Sequence, residues 1–513
     1  MLARTQSECF PEGRCAVSSI SKTDYILWRD CAKNAWLRIH KPDVYYSTEL
    51  TEYEQSVMEM GIEVERVARG LFPDGAVVTG SQTDALQETR SLIASNTHTL
   101  FQPVFEREKC LAVVDVLRWE PGTSDWSIYE VKSTTKVKEE HVYDLAFQVV
   151  LLRKYGINLK RAFLIVLNPD YVRQHDLDIQ KLFNVVDLTA NVDDISETVN
   201  GEMHEAQNYL LNESEPDGPC SCIYKGRSRH CSTFHYSNPH IPDYGIHDIA
   251  RIGSSPKKLK ELVDAGIVTL EDLPSDTKLT KGQSNQLRAY RTGQTIIDKD
   301  AIAKELGDLT FPLHFIDYET FASALPLFSG YSPYDQIPFQ YSVHIVGSPN
   351  EEPMHRDFLH VGRGDPTNDF LSSLREHVSP FGSVIAWNKA FECYVNDSVA
   401  RRCSPEREYI IELNDRFYDL MDIFSKQHFV HRDLCGSVSI KKVLPVLAPE
   451  LSYSNLGIHD GATASLTWSK IISREIDEQE CARLRADLRD YCALDSYGMY
   501  AIWRALTKLI QSS

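Results

Sequence analysis

Short stretches of the chain alternate apolar and polar residues with period two. Longer ones repeat near period 3.6, so a mixture of strands and helices is expected. Residues 1–17 show neither period. Ser21 is placed to cap a first helix, with Asp24 at its third position and Tyr25, Trp28, Trp36 and Leu37 beyond. A second helix is expected over 52–71, stopped by Phe72-Pro73-Asp74-Gly75. From about Gln102, apolar runs lead into Asp115-Val-Leu-Arg-Trp119 and Trp126-Ser-Ile-Tyr-Glu130-Val-Lys132, which read as a hairpin about a turn at 121–125. A helix through Gln148 to Tyr155, a turn at Gly156-Ile-Asn158 and a strand over 162–167 follow. Strand, strand, helix, strand is the order of a small α/β core. Residues 245–295 read as short helices with glycine turns, in a layout like a helix–hairpin–helix. Then come strands over 313–319 and 383–387, a strand or helix holding Asp419 and Asp422, and a helical run from Leu484 through Asp495.

This pattern predicts three domains: an α/β domain over 1–240, a helical connector over 241–305 and a second α/β domain over 306–513. A length of 513 residues fits that number, being too long for one ordinary core. No run of about 18 apolar residues occurs, and the first residues lack the apolar core of a signal peptide, so a cytoplasmic protein without a membrane partner is expected. The net charge of −19 excludes a surface coated with phosphate-binding lysines. Local basic stretches remain at Lys132, Lys136 and Lys138, at Lys225, Arg227 and Arg229, and at Lys257, Lys258 and Lys260.

Candidate chemistry sharpens the picture at three places. Glu130 and Lys132 are two apart on a strand and so share a face, while Val131 points into apolar cover. Asp115 on the partner strand brings a second carboxylate. Two carboxylates can hold Mg²⁺ or Mn²⁺, and a lysine beside them can orient or activate a water. On the next helix His141, Asp144 and Gln148 share one face, and Tyr155 extends it. A solvated strand and a hydrated helix face would show the same spacing.

The C-terminal third repeats the theme. Asp317-Tyr-Glu319 puts two carboxylates on one face at the end of an apolar strand. Asn388-Lys-Ala-Phe391-Glu392 follows the next strand. Tyr491 and Asp495 stand at i and i+4 on a helix. Four carboxylates can hold two metal ions, with a tyrosine to orient the attacking water.

The third place is Cys220-Ser-Cys222, with Cys231 nine residues on. Twelve cysteines in a cytoplasmic chain are not expected to form disulfides. Three at this spacing need a fourth ligand. Zinc with three cysteines and His230 or His235 is one solution; a [4Fe–4S] cluster completed by Cys31 is another.

Residues 19–240 resemble the RecB-like PD-(D/E)XK nucleases, in the iron–sulfur branch that includes the CRISPR adaptation exonuclease and the AddB subunit. Asp115, Glu130 and Lys132 take the core motif, and Gln148 and Tyr155 the following helix. Cys31, Cys220, Cys222 and Cys231 take the cluster cysteines, although Cys220 and Cys222 stand closer together than the family's pair. The resemblance implies that the cluster staples the first helix to the domain's last segment. Glu65 stands where many relatives have the histidine of Gly-x-x-x-His, and a carboxylate there can bind metal.

Residues 311–513 resemble the DEDD exonucleases of RNase H-like fold, tyrosine subclass. Asp317, Glu319, Glu392, Tyr491 and Asp495 take the motif positions, with Glu392 replacing the usual aspartate. The whole resembles a bacterial family that fuses the two domains. It implies a metal-dependent nuclease with two centres acting on DNA, single-stranded or with free ends, in end processing, repair or defence against phage. Two other readings are a DNA-binding scaffold with inactive centres, favoured by Glu65, Glu392 and the acidic total, and an exonuclease acting on RNA.

Overall fold

The computed structural model describes residues 18–46, 51–120, 122, 125–473 and 476–511. The expectations for residues 1–17, and for Pro121, Thr123 and Ser124 of the turn, lie outside the described residues. The chain is mixed α/β and divides into two compact units. The first is Met1–His240 with Ser323–Pro333, and the second is Ile241–Ala322 with Tyr334–Ser513. The expected boundary at 240 coincides with this division. The expected connector, 241–305, falls inside the second unit, though it keeps its own apolar cluster around Ile246, Ile252, Leu259 and Leu273.

In the first unit, β1 (Ile20–Ser21) feeds the helix Lys22–Asp30, where Ser21 and Asp24 form a reciprocal capping box. The helices Ala32–His40 and Glu52–Ala68 follow, the second opened by a Thr51–Glu54 box. The strands are β2 (Ala76–Val77), β3 (Thr99–Phe101), β4 (Val104–Arg107), β5 (Cys110–Val113), β6 (Val116–Trp119), β7 (Trp126–Lys132), β8 (Leu159–Leu167) and β9 (Phe183–Asp187). Six of them form one sheet in the order β2-β3-β6-β7-β8-β9, and β1-β5-β4 form a second. The hairpin is β6–β7, antiparallel, with Val116 opposite Tyr129. The helix Glu139–Tyr155 joins β7 to the parallel strand β8. It is buried along most of its length, with Phe147, Leu151 and Leu152 in the core. Gly156 ends it in the left-handed region, φ 103°, which a side chain would resist.

The segment Ser323–Pro333 is knitted into this unit by backbone. Arg173 N donates to Tyr331 O at 3.0 Å, and Gly330 N donates to Arg173 O at 2.7 Å. The Arg173 guanidinium also reaches the carbonyls of Pro326 and Leu327, at 2.8 and 2.9 Å.

In the second unit β10 (Ile296–Ile297) pairs with β16 (Phe429–Val430). A five-stranded sheet has the order β13-β12-β11-β14-β15, made by β11 (Leu313–Phe321), β12 (Ile337–Val346), β13 (Met354–Leu359), β14 (Val384–Ala386) and β15 (Phe417–Asp419). β11 is central, antiparallel to β12 and parallel to β14. The strand expected to end in Asp317-Tyr-Glu319 runs two residues further, to Phe321, with a register irregularity between Glu319 and Thr320. The 34-residue helix Glu478–Gln511 packs on β11 and β12. Among the described residues no helix is long and apolar enough to cross a membrane.

Candidate functional site

Three groups of side chains converge, two in the first unit and one in the second. The register that sets Val116 opposite Tyr129 carries Asp115 beside Glu130 at the open end of the hairpin. Asp115 is buried, and its Oδ2 accepts the Val131 backbone N–H at 2.8 Å. Glu130 is 2% exposed, and both its oxygens are held. Oε1 accepts from Lys132 Nζ at 2.9 Å and from Lys22 Nζ at 2.7 Å; Oε2 accepts from Gln148 Nε2 at 2.9 Å. Lys132 also binds Asp144 of the following helix. Glu65 joins through Gln102, whose amide donates to Glu65 Oε1 at 2.7 Å and to Asp115 Oδ1 at 3.3 Å. Arg69 braces Glu65 at 2.8 Å.

Every residue expected at this centre is therefore present: Glu65, Asp115, Glu130, Lys132 and Gln148. Two flanking expectations differ. His141 Nδ1 accepts its own helix's Lys138 N–H at 3.2 Å. Tyr155 turns away, its hydroxyl accepting from Arg90 at 3.0 Å and its ring packed edge-on to Phe105. Lys22 and Gln102 were not expected, and Asp144 gains a partner that helix-face spacing did not name.

Burial, reinforced by Glu130 and partly offset by Lys22, pushes the Asp115 carboxyl up to about 7. Burial acts in the same direction on Glu130, but Lys132 and Lys22 outweigh it and hold that carboxyl well below its ordinary value. Four carboxylates (Glu65, Asp115, Glu130, Asp144) thus face three cations (Lys22, Arg69, Lys132). The buried Gln148 Oε1 has no hydrogen-bond partner.

In the same unit Cys31, Cys220, Cys222 and Cys231 bring one sulfur each within 4.8 Å of one another. Cys231 Sγ lies 3.9 Å from Cys31 Sγ and 3.8 Å from Cys220 Sγ, and all four thiols are free. Asn238 Nδ2 donates to Cys220 Sγ at 3.2 Å. The fourth member is thus Cys31, from the start of the chain, and not a histidine. His230 instead stacks on Phe234, its Nε2 3.0 Å from the Lys225 carbonyl. His235 meets the edge of the same ring. Four converging thiols, three of them buried, are a donor set that could hold a metal.

In the second unit Asp317 and Glu319 project from one face of β11, while Tyr318 packs on the other against Phe370. Glu392 enters from the first turn of the helix Lys389–Arg402, which starts at Asn388 in the left-handed region. Asp495, Tyr491 and Cys492 enter from the helix Glu478–Gln511. The ligand atoms of Asp317, Glu319 and Cys492 lie within 4.8 Å of one another. Tyr453, which no motif named, donates a hydrogen bond to Asp495, and Tyr491 stands one turn before Asp495 on the same helix. A Cβ on Gly461 would sit 3.5 Å from Glu319 Oε2, so the helix Gly461–Ser473 begins against that carboxylate.

This centre concentrates negative charge. Burial, then Asp495, Glu319 and Glu392, pushes Asp317 well above the usual carboxylate range. Burial pushes Glu392 up to about 8 and Asp495 to about 6. Lys441 opposes this at Glu319 and Asp495; its ammonium lies 5.5 Å from the Tyr491 ring and 5.6 Å from the Tyr453 ring. The buried Glu392 Oε2 has no hydrogen-bond partner. Hard oxygen donors crowded this way could hold a divalent cation such as Mg²⁺ or Mn²⁺, which would supply the missing positive charge.

Residues 314–439 match a family described as a domain of unknown function, DUF2779. The match takes in Asp317, Glu319 and Glu392 and ends before Tyr453, Tyr491 and Asp495. The chain is 25% identical over 267 residues to the uncharacterized protein UU173 of Ureaplasma parvum, covering 48% of this chain and 37% of that protein. It is 27% identical over 214 residues to the uncharacterized MG366 homolog of Mycoplasma pneumoniae, covering 37% of this chain and 31% of that protein. The chain thus spans about a third of the length of these curated relatives.

Proposed function

We propose that the protein is a metal-dependent nuclease with two centres that hydrolyses DNA from free or single-stranded ends. One observation carries the reading: Asp317, Glu319, Glu392 and Asp495, from three separate segments, converge with Tyr491 on the central strand of a five-stranded sheet. Buried carboxylates that raise one another's proton affinity oppose folding, and a divalent cation removes that opposition. The strand order, with β11 central, agrees with the RNase H-like resemblance.

Bound Mg²⁺ or Mn²⁺ would polarise the phosphate and lower the pKa of a coordinated water. In the C-terminal centre Asp317, Glu319, Glu392 and Asp495 would hold it, and the Tyr491 hydroxyl would orient the attacking water at a 3′ end. In the N-terminal centre Asp115 and Glu130 would be the ligands, with Glu65 behind Gln102. Lys132 would stand beside the water, steadied by Asp144, and Gln148 would fix the second Glu130 oxygen. A 5′ polarity for that centre comes from the resemblance alone.

The four thiols would hold a [4Fe–4S] cluster, by resemblance. A single zinc ion is the second reading. Tetrahedral thiolates at about 2.3 Å from one ion lie roughly 3.8 Å apart, close to the two separations found. Anaerobic purification decides: a brown protein with iron and acid-labile sulfide supports the cluster, and a colourless one with about one zinc per chain supports zinc.

End-labelled single-stranded DNA with Mn²⁺ tests the enzyme. Lys132→Ala and Asp317→Ala are each expected to remove part of the degradation, and the double variant all of it. If neither single variant changes it, both centres are misassigned. Wild-type protein that cuts neither DNA nor RNA with any divalent metal would favour the scaffold reading, and preference for a labelled RNA strand would reassign the substrate.

A further inference from the structure

Lys22 lies 108 residues from Glu130 in sequence, yet its ammonium is 2.7 Å from Glu130 Oε1, the oxygen that Lys132 also binds. It is the first residue of the helix Lys22–Asp30. Cys31, one of the four converging cysteines, caps the other end, its N–H donating to Leu27 O at 2.8 Å. Nine residues span about 13 Å, so one short rod runs from the carboxylates to the thiols.

The thiol end is held twice. Cys31 joins Cys220, Cys222 and Cys231. Lys225, between those late cysteines, donates to the Asp30 carbonyl at 3.0 Å and to its carboxylate at 2.6 Å. A cation there also suits the helix dipole. Along the rod, Tyr25 and Arg29 both bind Glu202, and the Tyr25 ring stacks 5.1 Å from Phe147, the neighbour of Gln148. The carboxylate end is held by Lys22 and by pairing of β1 with β5.

We propose that Lys22 is a positioning residue of the N-terminal centre, fixing Glu130 together with Lys132 and Gln148, and that its place depends on the metal held by the four cysteines at the far end of its helix. This rests on the nuclease reading of that centre. Lys132 and Gln148 hold one Glu130 oxygen each, and Lys22 adds a second ammonium on Oε1 from a separate element. Loosening Cys31 and Lys225 would let the rod shift and withdraw Lys22.

The test uses the full chain with Asp317→Ala throughout, so that only the N-terminal centre reports. Lys22→Met should cost about tenfold or more in degradation rate, the usual range for a residue that orients a metal ligand. Lys22→Arg should recover most of it. Cys31→Ser, or chelation of the cysteine-held metal, should cost the same factor and speed amide exchange across Lys22–Asp30. Lys22→Met with Cys31→Ser should be no worse than either alone. Losses that multiply, a Lys22→Met variant within about twofold of its parent, or unchanged exchange after chelation would each overturn the proposal. If Lys132→Ala leaves the parent's degradation intact, the nuclease reading itself has failed, and the exchange measurement alone then decides whether the rod couples its two ends.

Discussion

At the scale of single residues, spacing in sequence reveals neighbours on one element and hides those across elements. Glu130 with Lys132, Asp317 with Glu319, and Tyr491 with Asp495 were legible because a strand repeats every two residues and a helix every 3.6. Lys22 and Tyr453 were not, because each reaches its carboxylate from a distant segment. Gln102 could not be read either; it bridges Glu65 and Asp115 from a left-handed backbone, φ 56°. Glu392 poses a conflict between stability and function: it is 2% exposed with an unpartnered Oε2. Glu392→Gln should therefore raise the melting temperature in EDTA while lowering Mn²⁺-dependent degradation by the C-terminal centre by at least about tenfold. A calorimetric scan beside an end-labelled assay checks both.

The buried histidines give a pH dependence. Burial, with His355 stacked on it, lowers His344 to about 3, and burial lowers His314 to about 4. Both fall below the unfolded value, so the stability they contribute is complete above about pH 6.5 and is lost as pH falls toward their folded values. His344 bonds Ser496 of the C-terminal helix at 2.9 Å. His344→Gln should flatten the decline in urea stability between pH 7 and 5 by about 1–2 kcal/mol; an unchanged slope would show that His344 does not drive it.

At the scale of elements, the helices over 22–30, 52–68 and 139–155 were announced by a cap or a stop: Ser21 for the first, Phe72-Pro73-Asp74-Gly75 for the second and Gly156 for the third. The hairpin of β4 and β5 was not resolved as a separate unit. Its turn places Glu108 and Lys109 at φ 50° and 58°, a conformation that glycine and asparagine usually announce. The last two residues of β11, Thr320 and Phe321, escaped notice because the two carboxylates before them read as the strand's end. Tyr25, fully buried, depends on Glu202 for its hydroxyl partner. Glu202→Ala should destabilise the first unit by about 2 kcal/mol, since the hydroxyl would be left buried and unpaired. Glu202→Gln should restore most of this in the same urea titration.

At the scale of the whole molecule, the −19 charge gave no hint of its distribution. The first candidate nuclease centre nearly balances its carboxylates with lysines and an arginine, whereas the second leaves them largely opposed to one another. The second should therefore gain more stability from added Mn²⁺. A boundary at 240 was legible from the change in pattern, though three domains were expected and the structure divides into two units; the return of 323–333 to the first unit was not legible, because nothing in those residues marks them as its own.

That returning segment changes how the two candidate centres can be dissected. A gene cut after codon 240 would strip the Arg173 guanidinium of two carbonyl partners and its backbone of the exchange with Tyr331 and Gly330. The fragment 1–240 should melt earlier than the first unit does within the intact chain, and a peptide of residues 323–333 added in trans should recover part of the difference. An inactive fragment would then report a missing piece of scaffold, so the separate roles of the two centres are better read from point substitutions than from halves.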